Sequence, residues 1–453
     1  MSVHTLFPAP LERLTLPSLP PIALTFAREV ALAGGRALLV GGFVRDLLLG
    51  HSPGDLDLEV FGIDAPQLET LAQRLARGKL VGKDFGILKL EGLDVSLPRA
   101  ERQAGRDGFF QASPWLSFAE ASRRRDFTLN ALACDPLTGE LFDAWGGLAD
   151  LRAGILRPVA QETFVEDPLR VLRALQFVSR LPLEPAPLTR TLCQQLAPVL
   201  PSLPRERIFE ELKKLLLKSR WPERGIQLAL ETGVLQALLP ELPLSPSHGV
   251  LVRRLARLVS HRPQDEEQAL ALGMALLLWE LAAAHTQPPL QVEPVTHMPS
   301  LNTLLPVLDR LTHERRLRQR LISILLLKGS PDYMYTKHKS SAAVRRLALH
   351  GTLSLLIAAE RCVAEADERP SPALDWLEQE ARQLQVLEQA EPMWIQGRDL
   401  AALGLSQGPL MGKLLKRLYG AQLDRTFQSA EEGKRLAPKL LQTLLEEESG
   451  LAG

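Results

Sequence analysis

The chain has 453 residues, too many for one compact core, so several domains are expected. Its 53 basic and 53 acidic residues cancel, which excludes a polycation; any RNA contact must gather positive charge locally. Cys134, Cys193 and Cys362 lie far apart without a CxxC pair, which argues against a disulfide frame or zinc knuckle. With no signal-like segment and no apolar run of spanning length, the expectation is a cytoplasmic protein without a membrane partner.

Residues 1–20 are proline-rich and read as a loose lead-in. Pro21 to Ala33 reads as a helix, with Pro21 in its first turn and Gly34-Gly35 at its end. Leu38 to Val60 then reads as strand, glycine turn, short helix, loop and second strand. Gly41-Gly42 lets the backbone turn sharply and approach a ligand, and the following helix start suits a phosphate. In the second strand Leu56, Leu58 and Val60 face one way, and Asp55, Asp57 and Glu59 the other. On their own, two such acids are either oxygen ligands for divalent cations or a solvated sheet face. Ala65 to Ala76 reads as a helix, and Gly86 to Leu90 and Leu93 to Leu97 as strands. Residues 101–122 read as irregular, a connection long enough to be either disordered or functional.

The spacing of Gly41, Gly42, Val44, Arg45, Asp46, Leu48, Leu49, Gly50, Asp55 and Asp57 resembles the first motif of the class II nucleotidyltransferases. These belong to the polymerase-beta-like superfamily and include tRNA CCA-adding enzymes and bacterial poly(A) polymerases. The resemblance implies an α+β fold: a polymerase-beta-like head with a small mixed sheet and helices, then an all-α neck, body and tail. It implies two magnesium ions on Asp55 and Asp57, with Asp94 as the third carboxylate, and a triphosphate on Gly41, Gly42 and Arg45. It also places the flexible loop for terminal A addition in residues 101–122, beginning near Arg99 to Arg106.

Further motifs follow in order. Arg124, Arg125, Asp126, Phe127, Thr128 and Asn130 match R-R-D-F-T-x-N-A, which the family uses around ribose and triphosphate. Arg125 suits phosphate as a planar fork, while Asp126 and Asn130 suit sugar hydroxyls or the holding of Arg125. Asp143, Gly147 and Asp150 resemble a third motif and are assigned no chemistry. From Glu166 the sequence reads as a helix on which Asp167, Arg170 and Arg173 recur every three residues. They match the family's base-reading E-D-x-x-R motif. Cytosine and adenine each show an amine beside a bare ring nitrogen, so a carboxylate and a guanidinium can pair with both. Glu206, Arg207 and Glu210 resemble a fifth motif expected to pin the neck helices.

Beyond this the chain is leucine-rich and helical. No His-Asp dipeptide occurs, so the phosphohydrolase module of some long relatives lacks its metal ligands here. Residues 330–341 read as a surface loop. Gly397 to Gln422 resembles the family's tail, with Lys413, Lys416 and Arg417 together on one helix face: an RNA contact or a solvated flank. The divisions expected are 1–35 lead-in and helix, 36–155 head, 156–220 neck, 221–385 body and 386–453 tail. The activity implied is template-independent addition of CCA to the 3′ end of tRNA from CTP and ATP, with no protein partner. A poly(A) polymerase, an A-only or CC-only enzyme, and a silent RNA-binding module are the alternatives.

Overall fold

A computed structural model describes residues 3–75, 83–84, 87–90, 92–100, 111–243, 248–282 and 301–450. The chain divides into two compact units, Met1–Leu203 with Glu231–Val234, and Pro204–Leu230 with Leu235–Gly453.

The first unit opens with α1 (Pro21–Leu32), β1 (Arg36–Val40), α2 (Gly42–Leu48), β2 (Leu56–Phe61) and α3 (Ala65–Leu75). It continues through β3 (Lys83–Asp84), β4 (Ile87–Leu90), β5 (Leu93–Ser96) and a small ribbon of β6 (Arg99–Ala100) with β7 (Gln111–Ala112). Then come α4 (Phe118–Arg123), β8 (Ala133–Cys134), β9 (Leu141–Phe142), α5 (Gly147–Ala153) and β10 (Ile155–Leu156). It closes with α6 (Gln161–Glu166), α7 (Leu169–Arg180), β11 (Glu184–Pro185) and α8 (Pro187–Leu196). The main sheet runs β3-β4-β5-β2-β1-β8-β9. Only β2 and β5 pair in parallel within it, so the sheet is mixed.

The alternation along β2 explains its two faces. Leu56, Leu58 and Val60 share a core with Phe26 and Val30 of α1 and Leu68 and Leu71 of α3. On the other face, Phe61 packs with Leu38, Val40, Phe118 and Phe142. That second face passes from the apolar Phe61 to the acidic Asp57 along one strand. The sheet is thus cored at one end and chemically equipped at the other.

Several expectations change here. Residues 1–20 are not a loose lead-in. Leu6 is buried, and Phe7 stacks edge-on against Phe61 with centroids 5.0 Å apart. The Leu11 N–H donates to the Leu141 carbonyl at 2.9 Å and the Leu14 N–H to that of Gly139 at 2.8 Å, so the segment covers the β9 edge. The irregular span 101–122 contains α4, whose Ser117 and Glu120 form a capping box. Residues 101–110, and with them the first part of the expected A-addition loop, lie outside the described residues. The expected neck is divided: residues 156–203 belong to the first unit and 204–220 to the second.

The second unit is helical throughout its described residues. It comprises α9 (Arg205–Lys218), α10 (Pro222–Glu231, its last residue in the first unit), α11 (Val234–Leu238), α12 (His248–His261), α13 (Glu266–Leu277), α14 (Leu301–Leu311) and α15 (Arg315–Leu326). After these come α16 (Ser330–Thr336), α17 (Ser341–Leu347), α18 (Leu353–Ala366), α19 (Pro372–Gln383), α20 (Gly397–Ala401), α21 (Pro409–Leu423) and α22 (Ala430–Gly450). Glu206 and Glu210 are exposed on α9; Glu206 pairs with its neighbour Arg205, which also donates to the Asp309 carbonyl of α14 at 3.2 Å. The expected loop at 330–341 is largely helix α16. Gly329 turns the chain at φ 80°, Pro331 sits in the first turn, and buried Met334 anchors the segment in a core with Val344, Leu356 and Leu377. Trp279 occupies the region where a metal pair was sought. It is buried, with Lys328 5.1 Å above its ring.

Candidate active site

Asp57 lies on β2 directly opposite Asp94 on β5 in the parallel register. Asp55 sits in the bend just before β2. Burial pushes the Asp57 carboxyl above its usual range; Arg125 draws it down, and Asp94 and Asp55 push it up again. The three acids therefore share one electrostatic neighbourhood, where a hard cation would relieve their repulsion. Lys89, across from Asp94 at 3.6 Å, supplies part of that relief. Among the described residues no group of three or more His, Cys, Asp or Glu side chains is placed as it stands to hold a metal ion. The donor set fits magnesium in chemistry, as an open, oxygen-only set that leaves room for water and phosphate ligands.

The glycine turn stands beside these acids. Gly41 has φ 70° and ψ −133°, a conformation that side chains oppose. A Cβ there would lie 3.2 Å from the Arg125 guanidinium, and one on Gly42 would lie 3.4 Å from that of Arg45. Both glycines thus let an arginine lie close against the turn. Arg45 itself is 5% exposed and already engaged: it donates to Asp46 at 2.8 Å and to Asn130 at 2.7 Å. Its role in this geometry is to tie the turn to the second motif.

That motif is organised differently from the expectation. Asp126 accepts from Asn130 at 2.9 Å, from the Phe127 N–H at 2.8 Å and from Arg173 at 2.7 Å. Burial alone would raise the Asp126 carboxyl, but Arg173 and these hydrogen bonds hold it below the usual carboxylate range. Asp126 and Asn130 therefore hold Arg173 and Arg45 rather than Arg125. Arg125 stands near Glu59 instead, at 3.7 Å, beside Arg124 at 2.8 Å from the same carboxylate. Thr128 donates to Asp150 at 2.8 Å, and Asp143 caps α5 by accepting from Gly147 and Leu148 at 3.0 Å each. The third motif is thus a mount for the second.

Asp167 does not lie on the helix with Arg170. It precedes α7 in extended conformation, and its carboxylate accepts from the Leu169 N–H at 3.3 Å. Arg170 donates to the carbonyls of Thr163 at 2.7 Å and Arg124 at 2.5 Å, which joins the fourth motif to the second. Arg173 stacks its guanidinium 5.5 Å over Phe177. In the second unit Lys413 and Lys416 are exposed on α21, while Arg417 pairs with Glu447 of α22. Glu59 was the residue missed. Its signal was present: an arginine triplet at 123–125 needs a counter-charge, and a third acid two places beyond Asp57 supplies it.

Comparisons with known proteins bear on this geometry. Residues 37–157 match the family described as "Poly A polymerase head domain", and residues 183–244 match "Probable RNA and SrmB- binding site of polymerase A". The "Multifunctional CCA protein" of Xanthomonas campestris pv. campestris (strain B100) is 44% identical over 214 residues, covering 45% of this chain and 50% of that protein. The chain spans about half the length of the curated relatives it matches. Among solved structures, the Thermotoga maritima CCA-adding enzyme complexed with tRNA matches with TM-score 0.64 and 23% identity, over 97% of this chain and 99% of that one. The Bacillus stearothermophilus CCA-adding enzyme in complex with CTP matches with TM-score 0.66 and 24% identity, over 95% and 100%. These two show the fold. The part of this chain that is similar to a poly A polymerase head domain, residues 37–157, is the part that carries the mixed sheet and the three acids.

Proposed function

We propose that this protein is a template-independent nucleotidyltransferase that adds CCA to the 3′ end of tRNA from CTP and ATP. One observation carries the reading: Asp57 faces Asp94 in register while Arg125 lies against the Gly41 turn within electrostatic reach of Asp57. Acids that gather cations thus stand next to a backbone turn and a guanidinium that suit a triphosphate.

In this reading the RNA 3′-hydroxyl attacks the α-phosphorus in line, one P–O bond forms, and pyrophosphate leaves as the other breaks. Two magnesium ions held by Asp55, Asp57 and Asp94 supply, when bound, the charge that acidifies the hydroxyl and stabilises the displacement. Gly41 and Gly42 bring backbone close to the phosphates, and Arg125 neutralises them. Arg45, Asp126, Asn130 and Arg173 keep this face in place through their mutual bonds. Asp167 accepts from the exocyclic amine of cytosine or adenine, and Arg170 donates to the adjacent ring nitrogen. The carbonyls of Thr163 and Arg124, to which Arg170 also donates, fix where its guanidinium stands. Uracil and guanine present the opposite pattern and leave buried groups unpaired, so they are rejected. The second unit supplies RNA contacts, among them Lys413 and Lys416.

The test uses tRNAs ending at the discriminator base, at C and at CC, with an unstructured RNA as control. Each receives labelled CTP or ATP separately. The expected result is C on the first two and A on the third, with an Asp57→Ala loss of at least about 100-fold. A long A tail on the control RNA would make the enzyme a poly(A) polymerase. Near-normal incorporation by Asp57→Ala would overturn the mechanism.

A further inference from the structure

Glu59 is the least exposed charged group on the site face of β2, at 1%. A carboxylate removed from water this completely requires partners. Its Oε1 lies 2.8 Å from the Arg124 guanidinium and its Oε2 3.7 Å from that of Arg125. One carboxylate is therefore shared by two consecutive arginines, and a surplus positive charge remains.

The two contacts differ in kind. Arg124 is the close one, and its carbonyl is in turn held by Arg170. Arg125 is the loose one. Its NH1 is the atom that a Cβ on Gly41 would approach, while its NH2 is the atom nearest Glu59. The Arg125 guanidinium is thus bracketed between the glycine turn and Glu59. Without the carboxylate, two neighbouring guanidiniums would repel each other, and Arg125 would be left to the pull of Asp57.

We propose that Glu59 is a positioning residue of the triphosphate site, a resident anion that holds Arg125 against the Gly41 turn until a phosphate of the incoming nucleotide replaces it. This rests on the nucleotidyl-transfer reading above. The wide Arg125 contact suits exchange of partners, and the close Arg124 contact suits permanence. A charge-assisted bond to phosphate is then gained without first ordering a long side chain.

The experiment compares Glu59→Gln, Glu59→Asp and Arg125→Gln in the full chain. CTP binding is measured without RNA, and KM and kcat for CTP and ATP are measured on tRNA. Glu59→Gln is expected to weaken CTP binding and raise KM for both nucleotides about 10-fold, while kcat and the KM for tRNA change less than about 3-fold. Glu59→Asp is expected to recover part of the loss. In an Arg125→Gln background, Glu59→Gln should add no further rise, since its effect passes through Arg125. Should Glu59→Gln fail to fold, the Glu59→Gln/Arg124→Gln pair, which removes one charge of each sign, carries the same comparison. A KM within about 2-fold of wild type, or an equal further rise in the Arg125→Gln background, overturns the proposal. If wild type extends no tRNA, the nucleotidyl reading falls, whereas the RNA-free CTP comparison still decides the role of Glu59.

Discussion

Gly41 shows how much of this site depends on one missing methyl group. Its backbone is in a region reserved for glycine, and the space beside it is taken by Arg125. Gly41→Ala meets both objections at once. The backbone term alone is roughly 1–3 kcal/mol, and the clash adds displacement of Arg125. The expected outcome is a lower thermal midpoint together with a nucleotide KM raised by about 10-fold, read by melting and steady-state kinetics. Gly50→Ala, also at positive φ but with open space around it, should lower the midpoint and leave KM alone. Residues of this kind were legible in the sequence because their chemistry requires a residue type at a spacing. Asp57 was proposed from its spacing and Asp94 from resemblance, and the two stand opposite each other in the sheet register. The partners of Arg125 and Asp126 were not, because a motif names residues without saying which of them hold one another. Glu59 looked like a third member of an acidic face, and only the depth of its burial reveals a counter-ion.

At the scale of elements, the junction of α16 and α18 carries a pH signature. Glu360 accepts the Gly329 N–H at 2.7 Å. Burial raises its carboxyl from the ordinary 4.5 to about 7; Asp332 adds to the rise, and Lys328 and Arg369 oppose it. The folded state then holds a proton that the unfolded state has released. Stability contributed here is complete below pH 4.5 and is lost as pH rises through about 7. Glu360→Gln keeps an oxygen for Gly329 and cannot ionise. Its melting temperature should exceed that of wild type by roughly 2–4 °C at pH 8 and match it within about 1 °C at pH 5. A difference independent of pH would refute this. Elements with strong periodicity, such as α1, β2 and α3, were readable within a residue or two. The misread ones were short. Ser117 and Glu120 spell a capping box that was passed over because glycines and a proline precede it. Residues 330–336 looked polar because Ser330 is one of the three buried residues of the helix, beside Pro331 and Met334.

For the whole molecule, zero net charge makes RNA binding a matter of local patches. On α21 Arg417 pairs with Glu447, while Lys413 and Lys416 are exposed. Lys413→Ala with Lys416→Ala should therefore reduce the slope of log affinity for tRNA against log salt by roughly 1.5. The KM for CTP should not move. Titrations between about 50 and 200 mM salt measure this, and an unchanged slope would make the face a solvated flank. The division of the chain near residue 203 was not legible in advance. Helical, leucine-rich sequence lies on both sides of it, and periodicity marks a helix without telling which core it joins.

The strap over β9 has a kinetic side. Residues 11–14 leave the ribosome early, yet their backbone partners are residues 139–141, well over a hundred positions later. Until those arrive, the pocket of Leu6 and Phe7 lacks its Phe142 wall, and the last sheet border stays open. Such distant pairing makes for slow maturation and leaves a nascent chain with sticky, unfinished ends, the circumstance in which chaperone holding matters most.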